Sequence, residues 1–270
     1  MNVSVSPAGR LLKQWRNQRH VSQMDLALNA NVSTRHISFV ETGRAQPSRD
    51  MVLQLSEALD MPARDRNDLL QAAGYAPYHQ ETALDGPALA DALNAIDHIL
   101  RAHEPHGALV VDRHWNLMRA NNAMQRLMGF FLEAPPAALP INVFRLTFDP
   151  KGLRPFIRNF DEVATHLLDR LERDVRMQPF DETLAALHQD LRKMLPPARR
   201  HDGDATLQAP PFLTTDLVKD GVELRLLTTI TTFGTAQDLT LQELRIETFH
   251  PADAASEKQM RRLVEEQAGG

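Results

Sequence analysis

Side chains that can bind a polyanion are concentrated near the start of the 270-residue chain. Gln23 stands at the start of one helical pattern, and Arg35 lies in the first turn of the next. Arg44, Ser48 and Arg49 follow shortly afterwards. An arginine can donate two hydrogen bonds to O6 and N7 of a guanine, and glutamine, serine and further arginines suit phosphate oxygens. The spacing favours contact with duplex DNA, although the same arginines could form an ordinary solvated surface.

The charge distribution separates this segment from the rest of the chain. Residues 1–50 hold seven basic and three acidic side chains, whereas the whole chain holds 30 basic and 35 acidic ones. A basic segment joined to an acidic body indicates that only the basic segment meets a polyanion. Chance unevenness would give the same count, so the charge supports the interpretation without carrying it.

Patterns for catalysis and metal binding are missing from the sequence. The absence of cysteine excludes disulfides, thiolate ligands and thiol nucleophiles. There is no glycine-rich phosphate loop, no G-x-S-x-G and no H-E-x-x-H. Because His98, His103, His106 and His114 lack other ligands at suitable spacing, we expect surface histidines and no metal site. We predict no catalytic residues, no cofactor and no enzyme activity.

The sequence also bears on the compartment. No apolar run approaches the roughly 20 residues that cross a bilayer, and the N-terminal MNVSVSPAGR lacks the features of a signal peptide. A chain with 43% hydrophobic and 24% charged residues is typical of globular proteins. We therefore expect no membrane span and a cytoplasmic location.

Five short helices are predicted for the N-terminal segment, and two of them form a recognisable unit. Ser22 and Ser33 can cap helices over 22–29 and 33–41. The turn between these helices is very short and contains Asn31, which tolerates left-handed backbone. This is the layout of a helix-turn-helix, whose second helix enters the major groove with its N-terminal residues first.

Residues 9–60 resemble the phage-repressor type of helix-turn-helix, the Xre family. The matching positions are Gln23, Ala27, Ile37 and the run Phe39-Val40-Glu41-Thr42-Gly43. The resemblance implies an ion pair between Arg16 and Glu41, and base contacts by Thr34, Arg35 and Phe39. From their chemistry, we assign phosphate contacts to Gln23, Arg44, Ser48 and Arg49.

Two positions depart from the family pattern. Phe39 replaces the polar residue that is usual there, and it could touch a thymine methyl or a sugar, or simply pack. Asn31 stands where the family commonly has glycine, which is a mild departure because asparagine also adopts left-handed backbone.

The later part of the chain mixes strand and helix patterns. Asp220-Gly221 lies between two strand-like runs and predicts a hairpin. The apolar positions of the last strand change parity between Leu241 and Leu244, which either a bulge or a late strand start would explain. We predict an α+β domain with an antiparallel sheet. The predicted boundaries are a helix-turn-helix domain at 1–78, a linker with a connecting helix at 79–106, the α+β domain at 107–253 and a polar tail at 254–270.

A second resemblance covers about 105–253. The segments ALVVDRHWNLMRAN, NVFRLTFDPKGLRPFIRNF and TFGTAQDLTLQELRIETFHPAD resemble the MmyB/MltR-type ligand-binding domain. That resemblance implies a PAS-like fold that follows an Xre helix-turn-helix and takes a fatty-acid-like ligand. No cofactor is implied.

The sequence itself says less about the ligand. Flexible apolar side chains in this domain could line a pocket, but they could equally be ordinary core. Asn122, Arg154 and Arg158 are candidates to hold a carboxylate head group. The pocket residues that we predict are Met118, Asn122, Met128, Phe131, Phe144 and Arg154.

These predictions combine into a sequence-specific DNA-binding transcriptional regulator. We expect a homodimer, because one helix-turn-helix reads only a half-site. Its C-terminal domain would sense a small fatty-acid-like ligand. The alternative is a regulator whose C-terminal domain is a dimerisation or protein-partner module without a metabolite. A closed apolar cavity would favour the first, and a filled core would favour the second.

Overall fold

The computed structural model describes residues 6–84, 86–134, 139–195, 212–234 and 236–266. The chain divides into two compact units, residues 1–82 with 236–239, and residues 83–235 with 240–270. We call them the first and the second unit. The first unit has one hydrophobic core, and the second has a main core and a smaller one.

The first unit is built from five α-helices, as predicted. They are α1 (Pro7–Gln18), α2 (Gln23–Asn29), α3 (Thr34–Glu41), α4 (Arg49–Ala58) and α5 (Ala63–Ala72). Ser6, Ser22, Ser33 and Ser48 cap the first four helices, each accepting a hydrogen bond from the backbone N–H three residues on. Such a cap contributes roughly 1 kcal/mol to a helix, so local chemistry sets where these helices begin.

Helices α1 and α3 pack closely. A side-chain carbon on Gly9 would lie only 2.4 Å from the carbonyl oxygen of Val40, so only glycine fits there. Leu12 and Trp15 of α1 and Ile37 of α3 are fully buried in the same core. Burial of each such side chain stabilises the fold by roughly 1.5–3 kcal/mol, which fixes the orientation of α3.

The second unit is an antiparallel sheet with helices, which confirms the predicted α+β class. Its strand order is β2-β1-β5-β4-β3, with β1 at Ala108–Val111, β2 at Leu117–Ala120, β3 at Thr214–Lys219, β4 at Val222–Thr232 and β5 at Arg245–Pro251. After α5, the helices of the chain are α6 (Ala90–Ala102), α7 (Asn122–Phe131), α8 (Val143–Phe148), α9 (Phe160–Met177), α10 (Glu182–Lys193), α11 (Leu239–Gln242) and α12 (Ala254–Glu266). Short 3₁₀ turns lie at Pro87–Leu89 and Arg154–Phe156.

Both faces of the interior strand β1 are covered. Leu109 and Val111 face the main core, whereas Ala108 and Val110 face a smaller core that includes Ile96 and Leu100 of α6. This alternation follows from the period of two in a strand. The helix predicted within the segment 79–106 is α6, which packs on the sheet and belongs to the second unit.

The edges of the sheet are also protected. The backbone N–H of Leu117 in β2 donates to the carbonyl of Ile141, and that of Arg158 donates to the carbonyl of Asp216 in β3. Covered edges disfavour strand addition between copies of a chain.

The hairpin and the last strand agree with the sequence pattern. Asp220 and Gly221 both have positive φ, and Lys219 pairs with Val222 across the turn, as in a two-residue hairpin loop. β5 begins at Arg245, after α11. A late strand start therefore explains the change of parity.

The prediction of a polar tail at 254–270 is wrong for residues 254–266, which form α12. Met260 and Leu263 lie three residues apart on one helical face and are buried in the main core. Spacing of this kind is typical of an amphipathic helix, but charged neighbours obscured it. No helix in the described part of the chain is long and apolar enough to cross a bilayer.

Candidate functional site

The site in the first unit is the pair of helices α2 and α3. The turn between them is tight, since the backbone N–H of Val32 donates to the carbonyl of Ala27, 2.9 Å away. Asn31 adopts φ 50° in this turn, which is the left-handed conformation that its sequence position predicted. Ala27 is buried beneath it. This is helix-turn-helix geometry.

The outward face of α3 is available to a partner. Ile37 and Val40 are buried, whereas Thr34 and Arg35 are exposed and Phe39 is half-buried. The guanidinium carbon of Arg35 lies 5.1 Å from the centroid of the Phe39 ring. The residues predicted to contact bases therefore lie on the side of α3 that faces away from the core.

An ion pair ties α1 to the last turn of α3. Arg16 Nε donates to Glu41 Oε1 over 2.6 Å, and a second guanidinium nitrogen donates to Oε2 over 3.0 Å. A third donates to the carbonyl of Val21. The hydrogen bond to Glu41 is the main reason that the pKa of Arg16 is raised. The structure thus brings together the two residues that the family resemblance pairs.

Gln23 belongs to the same network, which the sequence did not indicate. Its carboxamide nitrogen donates to Glu41 Oε2 over 2.7 Å. One N–H of this amide is therefore used inside the unit, and the other stays available for a phosphate. The Arg16–Glu41–Gln23 network links the first three helices.

The remaining predicted phosphate contacts are exposed. Arg44 lies in the loop after α3, and Arg49 opens α4 with its guanidinium 5.6 Å from the Tyr78 ring centroid. Ser48 is exposed, and its hydroxyl oxygen accepts the N–H of Met51 as the α4 cap. The hydroxyl proton of Ser48 is not needed for that cap.

The six residues predicted to line a pocket in the second unit lie in different surroundings. Phe131 and Phe144 are part of the filled main core, where Phe144 stacks on Trp115 at 4.4 Å between centroids. Met118 is 40% exposed on an edge strand, and Asn122 is exposed at the first turn of α7. Met128 packs against the core from a half-buried position, and the Arg154 guanidinium lies 4.7 Å from the Phe160 ring centroid.

The asparagine that matters structurally is Asn121 rather than Asn122. Its buried side chain accepts the backbone N–H groups of Ala108 and Met124 and donates to the carbonyls of Leu100 and His106. Asn121 is the N-cap of α7, so the residue after it necessarily points elsewhere. A capping pattern in the sequence could have distinguished the two.

A polar cluster surrounds Trp115 inside the second unit. Its indole N–H donates to Asp174 over 2.9 Å, and Arg245 donates to the same carboxylate over 2.8 Å. The Arg245 and Arg170 guanidiniums lie 4.4 and 5.7 Å from the indole centroid. Arg170 also reaches buried Glu247, at 3.5 Å. We call these five residues the Trp115 cluster.

Burial controls the electrostatics of the Trp115 cluster. It raises the pKa of Glu247 and lowers that of Arg170, because a desolvated charge is disfavoured. Sequence reasoning missed these residues. Glu247 lies opposite Leu109 of β1 in the register, so charges on the core-facing positions of β5 were the available signal.

The second unit also has a shallow apolar cleft between α7 and α12. It is lined by Pro105, Ala123, Leu127, Met260, Leu263 and Val264. Its volume is about 10 Å³, roughly what one water molecule needs. The cleft therefore needs α12 to move before it holds anything larger.

Three histidines of the second unit, His103, His106 and His250, form a cluster that sequence spacing did not reveal. The His103 ring lies 4.9 Å from that of His250 and 5.7 Å from that of His106. His106 Nε2 lies 2.6 Å from Glu257 Oε2. Within the described ranges, no group of three or more potential ligands is placed to hold a metal ion.

The fold and these sites define a DNA-binding transcription regulator with a ligand-binding domain. Residues 8–69 match the sequence model of a helix-turn-helix domain, and residues 93–263 match that of the MmyB-like transcription regulator ligand binding domain. Because the second match covers more than half of the chain, the protein belongs to the MmyB-like transcription regulators. Both domains are those of regulators rather than of an enzyme family.

Comparisons with whole proteins add little. No curated protein matches the chain. A solved structure described as "Structure of an RNA-binding Light-Oxygen-Voltage Receptor" is similar at 14% identity with a TM-score of 0.25, covering 98% of this chain and 64% of that one. The chain thus spans less than two thirds of that protein, and a likeness this weak carries no argument.

Proposed function

We propose that the first unit binds duplex DNA sequence-specifically, with α3 in the major groove. The observation that carries this is the exposed N-terminal part of α3 in a helix-turn-helix, with Thr34 and Arg35 facing outward. Arg35 would read a guanine, and Thr34 would contact a neighbouring base. Gln23, Arg44, Ser48 and Arg49 would hold phosphates and set the register. A cytoplasmic location follows from this choice of partner.

Selection from a random duplex library tests this proposal. We expect the wild-type protein to enrich one motif that contains a guanine. Arg35→Ala should cost roughly 1–3 kcal/mol of binding and relax the preference at one base pair. Arg35→Lys is the matched control, because it keeps the charge and loses the bidentate fork. A uniform loss across all sequences would remove Arg35 from base reading.

We further propose that the protein acts as a homodimer. A two-fold operator needs two reading heads, and a single helix-turn-helix reads only a half-site. Light scattering during gel filtration measures the mass, and a monomer at micromolar concentration that stays monomeric on the selected DNA would contradict the proposal.

For the second unit, we propose a fatty-acid-like ligand that regulates DNA binding. Two separate features support this: the cleft between α7 and α12 has an apolar lining that suits an acyl chain, and the Trp115 cluster holds two guanidiniums, the groups that bind carboxylates. Binding would shift α12 and bias the unit between two states. These observations support the proposal without identifying a particular acid.

One observation favours the other candidate, a dimerisation or partner module without a metabolite. Large side chains fill the main core, with Trp115, Phe131 and Phe148 each at most 1% exposed. Native mass spectrometry followed by denaturing extraction separates the candidates. An acyl compound that co-purifies at one per chain supports the sensor, whereas an apo dimer that takes up no added fatty acid supports the module.

A further inference from the structure

Phe39 lies on the outward side of α3, where the fold gives no reason for an aromatic side chain. It is half-buried, and it is not among the described side chains that pack against the core of the first unit. Its backbone carbonyl accepts hydrogen bonds from Arg44 and Ala45, but any residue could provide that carbonyl. The aromatic side chain therefore needs another reason.

The neighbour of this ring is Arg35, one helical turn earlier. The Arg35 guanidinium carbon lies 5.1 Å from the ring centroid, within the range of a cation–π contact. Residues four apart on a helix lie side by side, so the backbone itself places the two together. Among the side chains that the structure describes, no carboxylate forms an ion pair with Arg35.

The nature of this partner matters for recognition. A carboxylate would occupy two of the five guanidinium N–H donors, and those are the groups that a guanine needs. An aromatic face attracts the cation and uses none of the donors. Stacking also restricts a long side chain that would otherwise lose its rotamer freedom on binding.

We infer that Phe39 is a positioning residue, whose ring holds the Arg35 guanidinium in a pre-formed orientation with its N–H donors free for guanine O6 and N7. Phe39 does not read a base itself. This inference rests on the proposed DNA binding and adds a specificity-determining residue to it.

A double-mutant cycle tests the inference. The four full-length proteins are the wild type, Phe39→Leu, Arg35→Ala and the double variant, with the duplex that the wild type selects as the probe. We expect Phe39→Leu to weaken binding about two- to fivefold. The same change should have no effect in the Arg35→Ala background. Phe39→Tyr keeps the ring and should keep wild-type affinity.

A specificity measurement separates positioning from a structural role. The second probe is the same duplex with adenine in place of guanine at the base pair whose preference Arg35→Ala relaxes. We expect Phe39→Leu to reduce the ratio of affinities for guanine over adenine at that position. The base preferences at the other positions should stay unchanged. Thermal unfolding of each variant confirms that the first unit stays folded.

Three outcomes would overturn the inference. Additive losses in the cycle would show that Phe39 acts independently of Arg35, and a changed preference at another base pair would show that its ring reads a thymine methyl or sugar. A wild-type affinity for Phe39→Leu would show that the stack does nothing. If the wild type selects no motif, the proposed DNA recognition itself has failed, which is a distinct result.

Discussion

Each unit contains an arginine–glutamate pair whose carboxylate is buried, and the two pairs differ in geometry. Arg16 and Glu41 in the first unit are joined by two short hydrogen bonds, with further partners on both sides. Arg170 and Glu247 in the second unit touch once at 3.5 Å. The pKa of Arg16 is raised by its partner, whereas burial lowers the pKa of Arg170 and raises that of Glu247.

The comparison shows how well each unit satisfies a buried charge. A buried pair offsets its desolvation only when the geometry is good and the remaining polar atoms are bonded. The Arg16–Glu41 pair meets this condition and holds the recognition helix in place. The Arg170–Glu247 pair has a single contact at 3.5 Å and does not meet the geometric part of this condition.

The largest expected effect is on the tight pair. Arg16→Ala leaves Glu41 buried without its counter-charge, so we expect a loss of about 3–5 kcal/mol in the unfolding free energy of the first unit. Urea unfolding followed by hydrogen-exchange mass spectrometry resolves the two units. Lys13→Ala, at an exposed position of the same helix, is the control and should change little. A loss below about 1 kcal/mol would make the pair no better than a surface one.

Neutralising the two glutamates should sharpen the contrast. Glu41→Gln leaves Arg16 unpaired, whereas we expect Glu247→Gln to cost only about 1 kcal/mol at pH 7. Because the pKa of Glu247 is raised, the folded state keeps a proton that the unfolded state loses above about pH 4.3. The contribution of Glu247 to the stability of the second unit therefore falls as pH rises above about 4.3, and Glu247→Gln should remove that fall. Equal costs for both variants, at every pH, would erase the distinction.

Arg44 tests the phosphate contacts predicted for arginines that have no buried glutamate partner among the described residues. Arg44→Ala should weaken binding to all duplexes alike and reduce the slope of log affinity against log salt by about 1. Titrations from low to physiological salt measure the slope. The stability of the first unit should not change, in contrast to Arg16→Ala. A loss of affinity that depends on the identity of one base pair would instead assign Arg44 to base reading.

The smallest expected effect concerns His103 in the second unit. Burial, and then the neighbouring His250 and His106, lower its pKa. The unfolded state therefore binds a proton first as pH falls below about 6.5, and stability is lost by at most about 1.4 kcal/mol per pH unit. His103→Gln should flatten the decline in stability between pH 7 and 5.5. If wild type and variant fall in parallel, His103 makes no such contribution.

Local chemistry explains which parts of the fold could be predicted. Serine caps marked the starts of the first helices, Asn31 marked the turn of the helix-turn-helix, and Asp220-Gly221 marked the hairpin. Each of these features is set by residues within a few positions of one another, because caps and turns are hydrogen-bonded locally. The helical spacing of the apolar residues Ile37 and Val40 likewise indicated which face of α3 points outward.

The remaining features depend on contacts between distant residues. Gln23 donates to Glu41, Arg170 reaches Glu247 from 77 residues away, and Asn121 joins α7 to strand β1. The burial of α12 likewise exists only where α7 and the sheet provide a surface. Side-chain chemistry along the chain is thus enough to place the helices of the first unit and the outward face of α3. Which polar groups become buried, and whether they are satisfied, is decided only when the packed units remove water from them.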